Sequence, residues 1–205
     1  PTGDPFNSLM KLENTDSSPY NPMINAGAIV VASCLASEIS FDTMLDTIRA
    51  LCMDPDINLD KKVYHSEMSH ISRNRAIAYL LESKGYIEKN KDVENSLHFY
   101  VKMCSLSVTA ESLAGLGLIL ANDGIHPDTG KRLLSSQAVK IVKTLMFTCG
   151  MYDGSGEFAV RVGIPSKSGV GGGILSVVDG EMGIGIFGPA LDKKGNSVAG
   201  ECVLE

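Results

Sequence analysis

Lys167-Ser168-Gly169-Val170-Gly171-Gly172-Gly173, with the apolar runs Ile174–Val178 and Met182–Phe187 behind it, is the stretch on which the fold turns. Asp179-Gly180 separates the two runs, so strand, tight turn, strand is the natural reading: an antiparallel hairpin. Just upstream, Glu157–Val162 alternates Phe158, Val160 and Val162 and is read as a further strand. Everything before Gly150 has another rhythm. Ile24–Leu35 is a small-plus-apolar run too long for a typical strand, and Ser40–Cys52 repeats Phe41, Leu45, Ile48 and Cys52 at helical spacing. Further helices are expected at Ser66–Ser83, stopped by Gly85, at Val93–Met103, at Ala110–Ala121 and at Gln137–Phe147, capped by Ser135 or Ser136. Asn196–Glu205 reads as the start of a last helix. Residues 1–149 are thus mostly helical and 150–205 carry the strands. That is α+β segregation, not the βα alternation of a parallel sheet.

Composition narrows the function classes. The 205 residues are 44% hydrophobic and 20% charged, which excludes a disordered tail, a collagen and a coiled coil. With 18 basic against 24 acidic residues the net charge is −6, which argues against a nucleic-acid partner. The longest apolar stretch, Ala26–Ala36, is interrupted by Gly27, Ser33 and Cys34, so no membrane span is expected. Cys34, Cys52, Cys104, Cys149 and Cys202 form no CxxC pair, and His65, His70, His98 and His126 form no HExxH. The expected chemistry uses no metal and no cofactor, in a cytoplasmic setting.

Three places hold candidate chemistry. On the expected 66–83 helix, Glu67, Ile71, Asn74, Ala78 and Leu81 share one face, so Glu67 and Asn74 either end an apolar stripe in solvent or point into a site. Gly150–Gly156 sets Tyr152 within a glycine-rich turn. The Lys167-Ser168-Gly169 triplet, read as opening a strand, resembles the third motif of serine β-lactamases and penicillin-binding proteins, where it brings a cation and a hydroxyl to a sheet edge. The glycines after it bare backbone N–H groups for an oxyanion. It is not a phosphate loop, because the spacing is not GxGxxG and no helix follows. Ser8-Leu9-Met10-Lys11 matches Ser-x-x-Lys, the nucleophile motif of those enzymes, but stands in a Pro/Asn-rich loop and is read as a chance match.

Taken together, Asn21-Pro22-Met23-Ile24-Asn25-Ala26-Gly27-Ala28, Ser66-Glu67 with Asn74, His98-Phe99-Tyr100, Cys149-Gly150-Met151-Tyr152 and Pro165–Val170 resemble the serine-dependent glutaminase family, in its bacterial short form, from Pro1 to Glu205. The resemblance implies a β-lactamase-like fold and hydrolysis of L-glutamine to L-glutamate and ammonia through a serine acyl-enzyme. It assigns Asn25, Glu67, Asn74 and Tyr100 to the amino acid. Glu67, the one acid of the set, faces the ammonium, and the other three divide the carboxylate and the amide. It makes Tyr152 a proton shuttle beside the nucleophile, with a pKa that a nearby cation would have to lower, and Val170 the backbone half of the oxyanion hole.

The resemblance further implies a homo-oligomer, dimer or tetramer. It matches Phe6–Met10 to a loop at the site entrance, with Leu9 and Met10 in gating or subunit contacts. It places the family's Ser-x-x-Lys segment upstream of the loop matching Pro1–Leu12, so residues 1–205 are expected to be a partial catalytic domain. The alternative is a catalytically silent piece or pseudoenzyme that binds an amino acid or a partner. A β-lactam-processing enzyme is disfavoured, since the four amino-acid-binding residues have no purpose there.

Overall fold

The computed structural model describes Pro19 and residues 21–205. Ser8, Lys11 and the expected entrance loop Phe6–Met10 lie outside the described residues. The chain divides into two compact units. One holds the described residues up to Asp46 together with Ile57–Ser107; the other holds Thr47–Asp56 and Val108–Glu205.

The first unit is helical. Helix α1 (Asn25–Glu38) packs against α4 (Ser72–Ser83) and α5 (Val93–Cys104), and α3 (Lys61–Ser69) lies on α5. Helix α2 (Phe41–Cys52) begins in this unit and ends in the other. The core gathers Ile29, Ile71, Ile77, Ala78, Leu81 and Leu97, each at most 3% exposed. Asp60 starts α3 by accepting the N–H groups of Lys62 and Val63 at 2.8 and 3.0 Å, and Asp92 starts α5 through Asn95 N–H at 3.0 Å. Gly85, at φ +79°, ends α4 with a left-handed turn that its sequence position announces. Two-residue strands β1 (Asn58–Leu59) and β2 (Leu106–Ser107), unsuspected from their composition, pair antiparallel.

The expected single helix over 66–83 is two helices. His70 N–H bonds to Glu67 O at 3.1 Å and its Nδ1 meets Ser66 O at 2.9 Å, closing α3 before Ile71 opens α4. Ile71, Ala78 and Leu81 do share a buried face, and Asn74 sits on it half-buried, but Glu67 belongs to the other helix and is exposed.

In the second unit, α6 (Ala110–Ala121) lies directly on β4 (Gly173–Val178) and β5 (Met182–Phe187) of a sheet ordered β3-β4-β5, with β3 at Ser166–Ser168. All three strands are antiparallel. Lys167 pairs with Leu175, and Ile174 with Ile186. The approach is close because α6 and β5 meet through glycines. A Cβ on Gly185 would stand 1.8 Å from Ala110 O, and one on Gly183 2.1 Å from Ala114 O. Thr109 and Ser112 form a reciprocal cap at the start of α6. Helix α7 (Ser136–Cys149), capped by Ser135, packs on β3, and α9 (Val198–Leu204) closes the chain.

Two expectations change here. Glu157–Val162 is not a strand: Ser155–Arg161 forms helix α8. Phe158 and Val162, four apart, pack with Met151 and Ile174, while Val160 is 88% exposed, so the apparent alternation is one helical face seen in a six-residue window. The Lys167-Ser168-Gly169 triplet closes β3 instead of opening a strand, and the glycines form the turn into β4. The hairpin itself stands where expected, joined through Asp179, Gly180 (φ +73°) and Glu181.

The glycine contact yields a stability prediction. Gly185→Ala is expected to cost about 3 kcal/mol, since backbone on α6 must retreat. Gly156→Ala, in α8 with nothing within 4 Å of the added carbon, is expected to gain about 0.5 kcal/mol. Urea unfolding of both variants checks the pair.

Candidate active site

The first unit presents the polar set expected to hold an amino acid. Asn25 is the first residue of α1, and its Nδ2 donates to Asn74 Oδ1 on α4 at 2.9 Å. Local sequence builds this start. Asn21 Oδ1 accepts Met23 N–H at 2.8 Å, and Gly27 leaves room for the preceding turn, since a Cβ there would lie 2.0 Å from Asn21 O. On α5, Tyr100 is half-buried against the core. It hydrogen-bonds the Cys104 sulfur one helical turn on, and Glu67 lies close enough to act on the same thiol. Close packing raises that thiol's pKa, the Glu67 carboxylate adds to the rise, and the Tyr100 bond opposes both. The structure therefore shows two pairings in this unit, Asn25 with Asn74 and Glu67 with Tyr100 through Cys104. The first pairing joins two neutral amides, and the second brings a phenol and a carboxylate to one thiol.

The second unit presents the set expected to act on a carbonyl. Tyr152 opens a short 3₁₀ turn (Tyr152–Gly154) directly after α7, with φ +51°, a left-handed value that costs a bulky residue about 1–2 kcal/mol. Ser155 braces it: Ser155 Oγ accepts Met151 N–H at 3.0 Å and donates to Tyr152 O at 2.7 Å. The Tyr152 side chain receives the backbone N–H of Val170, and burial nonetheless holds its pKa above the ordinary phenol value. Val170's own side chain is 51% exposed, so the backbone is the part turned to the site.

Lys167 completes this half, and sequence reading had not assigned it a role of its own. Its Nζ stands 4.7 Å from the centre of the Tyr152 ring and donates to Ser168 O. Burial lowers its pKa from 10.5 to about 8, against a small opposing pull from Cys149. The lowering that a base role for Tyr152 would require is not found: the cation covers the ring face, and the phenol rises with burial. The perturbed base near neutrality is the amine. Lys167 stands on β3 between two buried serines, Ser166 and Ser168. Ser168 Oγ is fully buried without a hydrogen-bond partner among the described residues.

Comparison with known proteins bears on the chain as a whole. A family model described as Glutaminase matches residues 1–205. The chain is 54% identical over 209 residues to a glutaminase of Clostridioides difficile, covering all of this chain and 67% of that protein. It superposes on the crystal structure of a probable glutaminase from Bacillus subtilis with TM-score 0.91 at 41% identity, over 100% of this chain and 69% of the other. A Bacillus subtilis glutaminase solved as its covalent complex with 5-oxo-L-norleucine matches with TM-score 0.85 at 41% identity, over 91% of this chain and 66% of that one.

Lys167 also makes stability depend on pH. Its folded pKa lies below the unfolded value, so between about pH 8 and 10.5 the unfolded chain binds more protons, and stability rises with pH through that window. Below pH 8 the full penalty of about 3 kcal/mol applies. Cys52, whose buried thiol rises to about 11, works the other way above pH 9. The readout is therefore a difference: Lys167→Met is expected to be the more stable protein at pH 7, with the gap to wild type closing by pH 10.5 in urea unfolding.

Proposed function

The chain belongs to the glutaminase family, and from that premise we propose how its residues divide the hydrolysis of L-glutamine to L-glutamate and ammonia. The observation that carries the assignment is the contact of Tyr152 with Val170 N–H under the Lys167 ammonium. It joins a proton-bearing hydroxyl, an oxyanion donor and a tunable amine in one corner of the second unit.

Binding comes first. A zwitterionic amino acid needs one carboxylate against its ammonium and neutral donors for its own carboxylate. Glu67 takes the ammonium, while Asn25, Asn74 and Tyr100 serve the carboxylate and the side-chain amide. The Asn25–Asn74 bond fixes the orientation of both amides, leaving Asn74 Nδ2 and Asn25 Oδ1 for other partners. The related enzyme solved with 5-oxo-L-norleucine supports an amino-acid-shaped covalent ligand for this family.

Acyl transfer follows. As the family's serine attacks the amide carbon, charge develops on the carbonyl oxygen, and Val170 N–H is the donor placed for it. In the resting structure that N–H is engaged by Tyr152, so the carbonyl oxygen exchanges with the phenol. Tyr152, whose raised pKa keeps it protonated, does not serve as a free base. It relays: its oxygen accepts the serine proton as its own proton passes to the departing nitrogen, so ammonia leaves and a glutamyl ester remains. Water repeats the relay in reverse and releases glutamate. Lys167, over the ring and with a pKa lowered by burial to about 8, is the titratable amine nearest the relay.

No cofactor enters this scheme, and L-glutamine and L-glutamate are the partners it requires. The family resemblance supports a homo-oligomer, dimer or tetramer, and five unpaired thiols fit a reducing, cytoplasmic setting. A silent amino-acid binder, the other reading of the sequence, has no observation in its favour.

Steady-state kinetics on glutamine, with ammonia and glutamate both quantified, test the assignment. Tyr152→Phe is expected to lower kcat by about 100-fold or more with little change in KM. Glu67→Gln is expected to lower kcat/KM by about 100-fold, mainly through KM. Val170→Ala, which keeps the backbone donor, is expected to stay within a few-fold of wild type. Near-normal turnover in Tyr152→Phe contradicts the relay.

A further inference from the structure

We propose that Asn196 is a positioning residue for Tyr152, holding the left-handed turn that aims the phenol at Val170 N–H. Asn196 lies 44 residues beyond Tyr152 in sequence and is fully buried. Its Nδ2 donates to Met151 O at 3.2 Å, the carbonyl of the peptide that leads into the strained residue. A bulky residue at φ +51° persists only where its surroundings over-determine it. Met151 O also accepts Gly154 N–H at 3.0 Å, while Ser155 ties Met151 N–H to Tyr152 O. Asn196 reaches this set from outside the 151–155 turn.

Asn196 is itself held rigidly. Asp192 Oδ1 accepts the N–H groups of both Lys194 and Asn196, at 2.9 and 2.8 Å, and Asp192 N–H returns to Asn196 O at 2.8 Å. Lys194 Nζ pairs with Glu157 Oε2 at 2.7 Å, anchoring this loop to α8. At its tip Gly195, φ +96°, runs beside the site. A Cβ placed there would lie 3.6 Å from the Tyr152 ring and 3.7 Å from Val170 Cγ1, so the loop borders both partners of the contact. The orientation of the Asn196 amide is fixed by chemistry: turned over, its oxygen would face Met151 O and leave the nitrogen buried without an acceptor. Among the described residues its Oδ1 has no partner, a cost the structure bears to keep the donor in place.

The inference rests on the reading of Tyr152 as the relay of glutamine hydrolysis, and its test separates the two. Asn196→Asp replaces the donor by an acceptor of the same shape. Asp192→Ala loosens Asn196 from the surface and leaves the core intact, and serves as the second variant. Glutamine turnover is measured for each, alone and combined with Tyr152→Phe, in the protein carrying the full catalytic domain. Asn196→Asp is expected to lower kcat by roughly 10- to 100-fold with KM within about twofold, as misplacement of a reacting group does. Asp192→Ala should do the same to a smaller degree. In the Tyr152→Phe background both should change kcat by less than twofold, because the group they position is gone.

A second readout does not need activity. The phenol titration of Tyr152, taken as the ultraviolet difference between wild type and Tyr152→Phe, should move toward the ordinary tyrosine range in Asn196→Asp and Asp192→Ala. Additive kinetic effects with an unmoved phenol titration overturn the proposal. A wild type without glutamine turnover overturns the proposed function, while the phenol titration still decides whether Asn196 holds Tyr152.

Discussion

Gly150 is where the last long helix meets the sheet, and the chemistry of the second unit hangs on that contact. Gly150 O accepts Ser168 N–H at 3.0 Å, and a Cβ on Gly150 would stand 1.9 Å from Ser166 O. Backbone thus lies on backbone at the edge of β3. Two residues later in one chain segment comes Tyr152, and one residue before Ser168 in the other comes Lys167. The contact therefore delivers a phenol and an ammonium to the same spot, the Lys167 Nζ 4.7 Å from the centre of the Tyr152 ring. Burial of the amine, its lowered pKa and its stacking on the ring follow from one close approach that only glycine permits.

The same logic recurs at β5, where Gly183 and Gly185 let α6 rest on the strand. A sheet held by close glycine-mediated contacts at β3 and at β5 is a rigid support, and the turn from β3 into β4 presents Val170 N–H from it. Against this rigidity stands the strained Tyr152, whose left-handed backbone is braced from within its own turn by Ser155 and from a distant loop by Asn196. Rigid donors and a pre-set hydroxyl are what acyl transfer asks for, because charge that appears on the carbonyl oxygen is stabilised most by groups that need not move.

Much of this was legible in the sequence, for reasons that can be named. The helix start at Ser135 and the stop at Gly85 were readable because capping is local chemistry, settled within a few residues. The β4–β5 hairpin was readable because two apolar runs flank Asp179-Gly180. Glu157–Val162 misled because a six-residue window holds too few turns to separate a period of 2 from one of 3.6. The break at His70 escaped because it depends on side-chain bonds back to Ser66 that no hydrophobic pattern encodes. Asn25, Glu67, Asn74, Tyr100, Tyr152 and Val170 were reached through family resemblance. Lys167's altered basicity and Asn196's hold on Met151 belong to three-dimensional neighbourhoods and left no mark in local sequence.

The central claim is that this fold buries an amine over the Tyr152 ring and so keeps a near-neutral base beside a protonated phenol. The direct measurement is nuclear magnetic resonance titration of the lysine side chains, with Lys167 assigned by comparison with Lys167→Met. The account predicts one lysine resonance titrating at about 8, absent from that variant. A Lys167 that titrates with the surface lysines near 10.5 would contradict it.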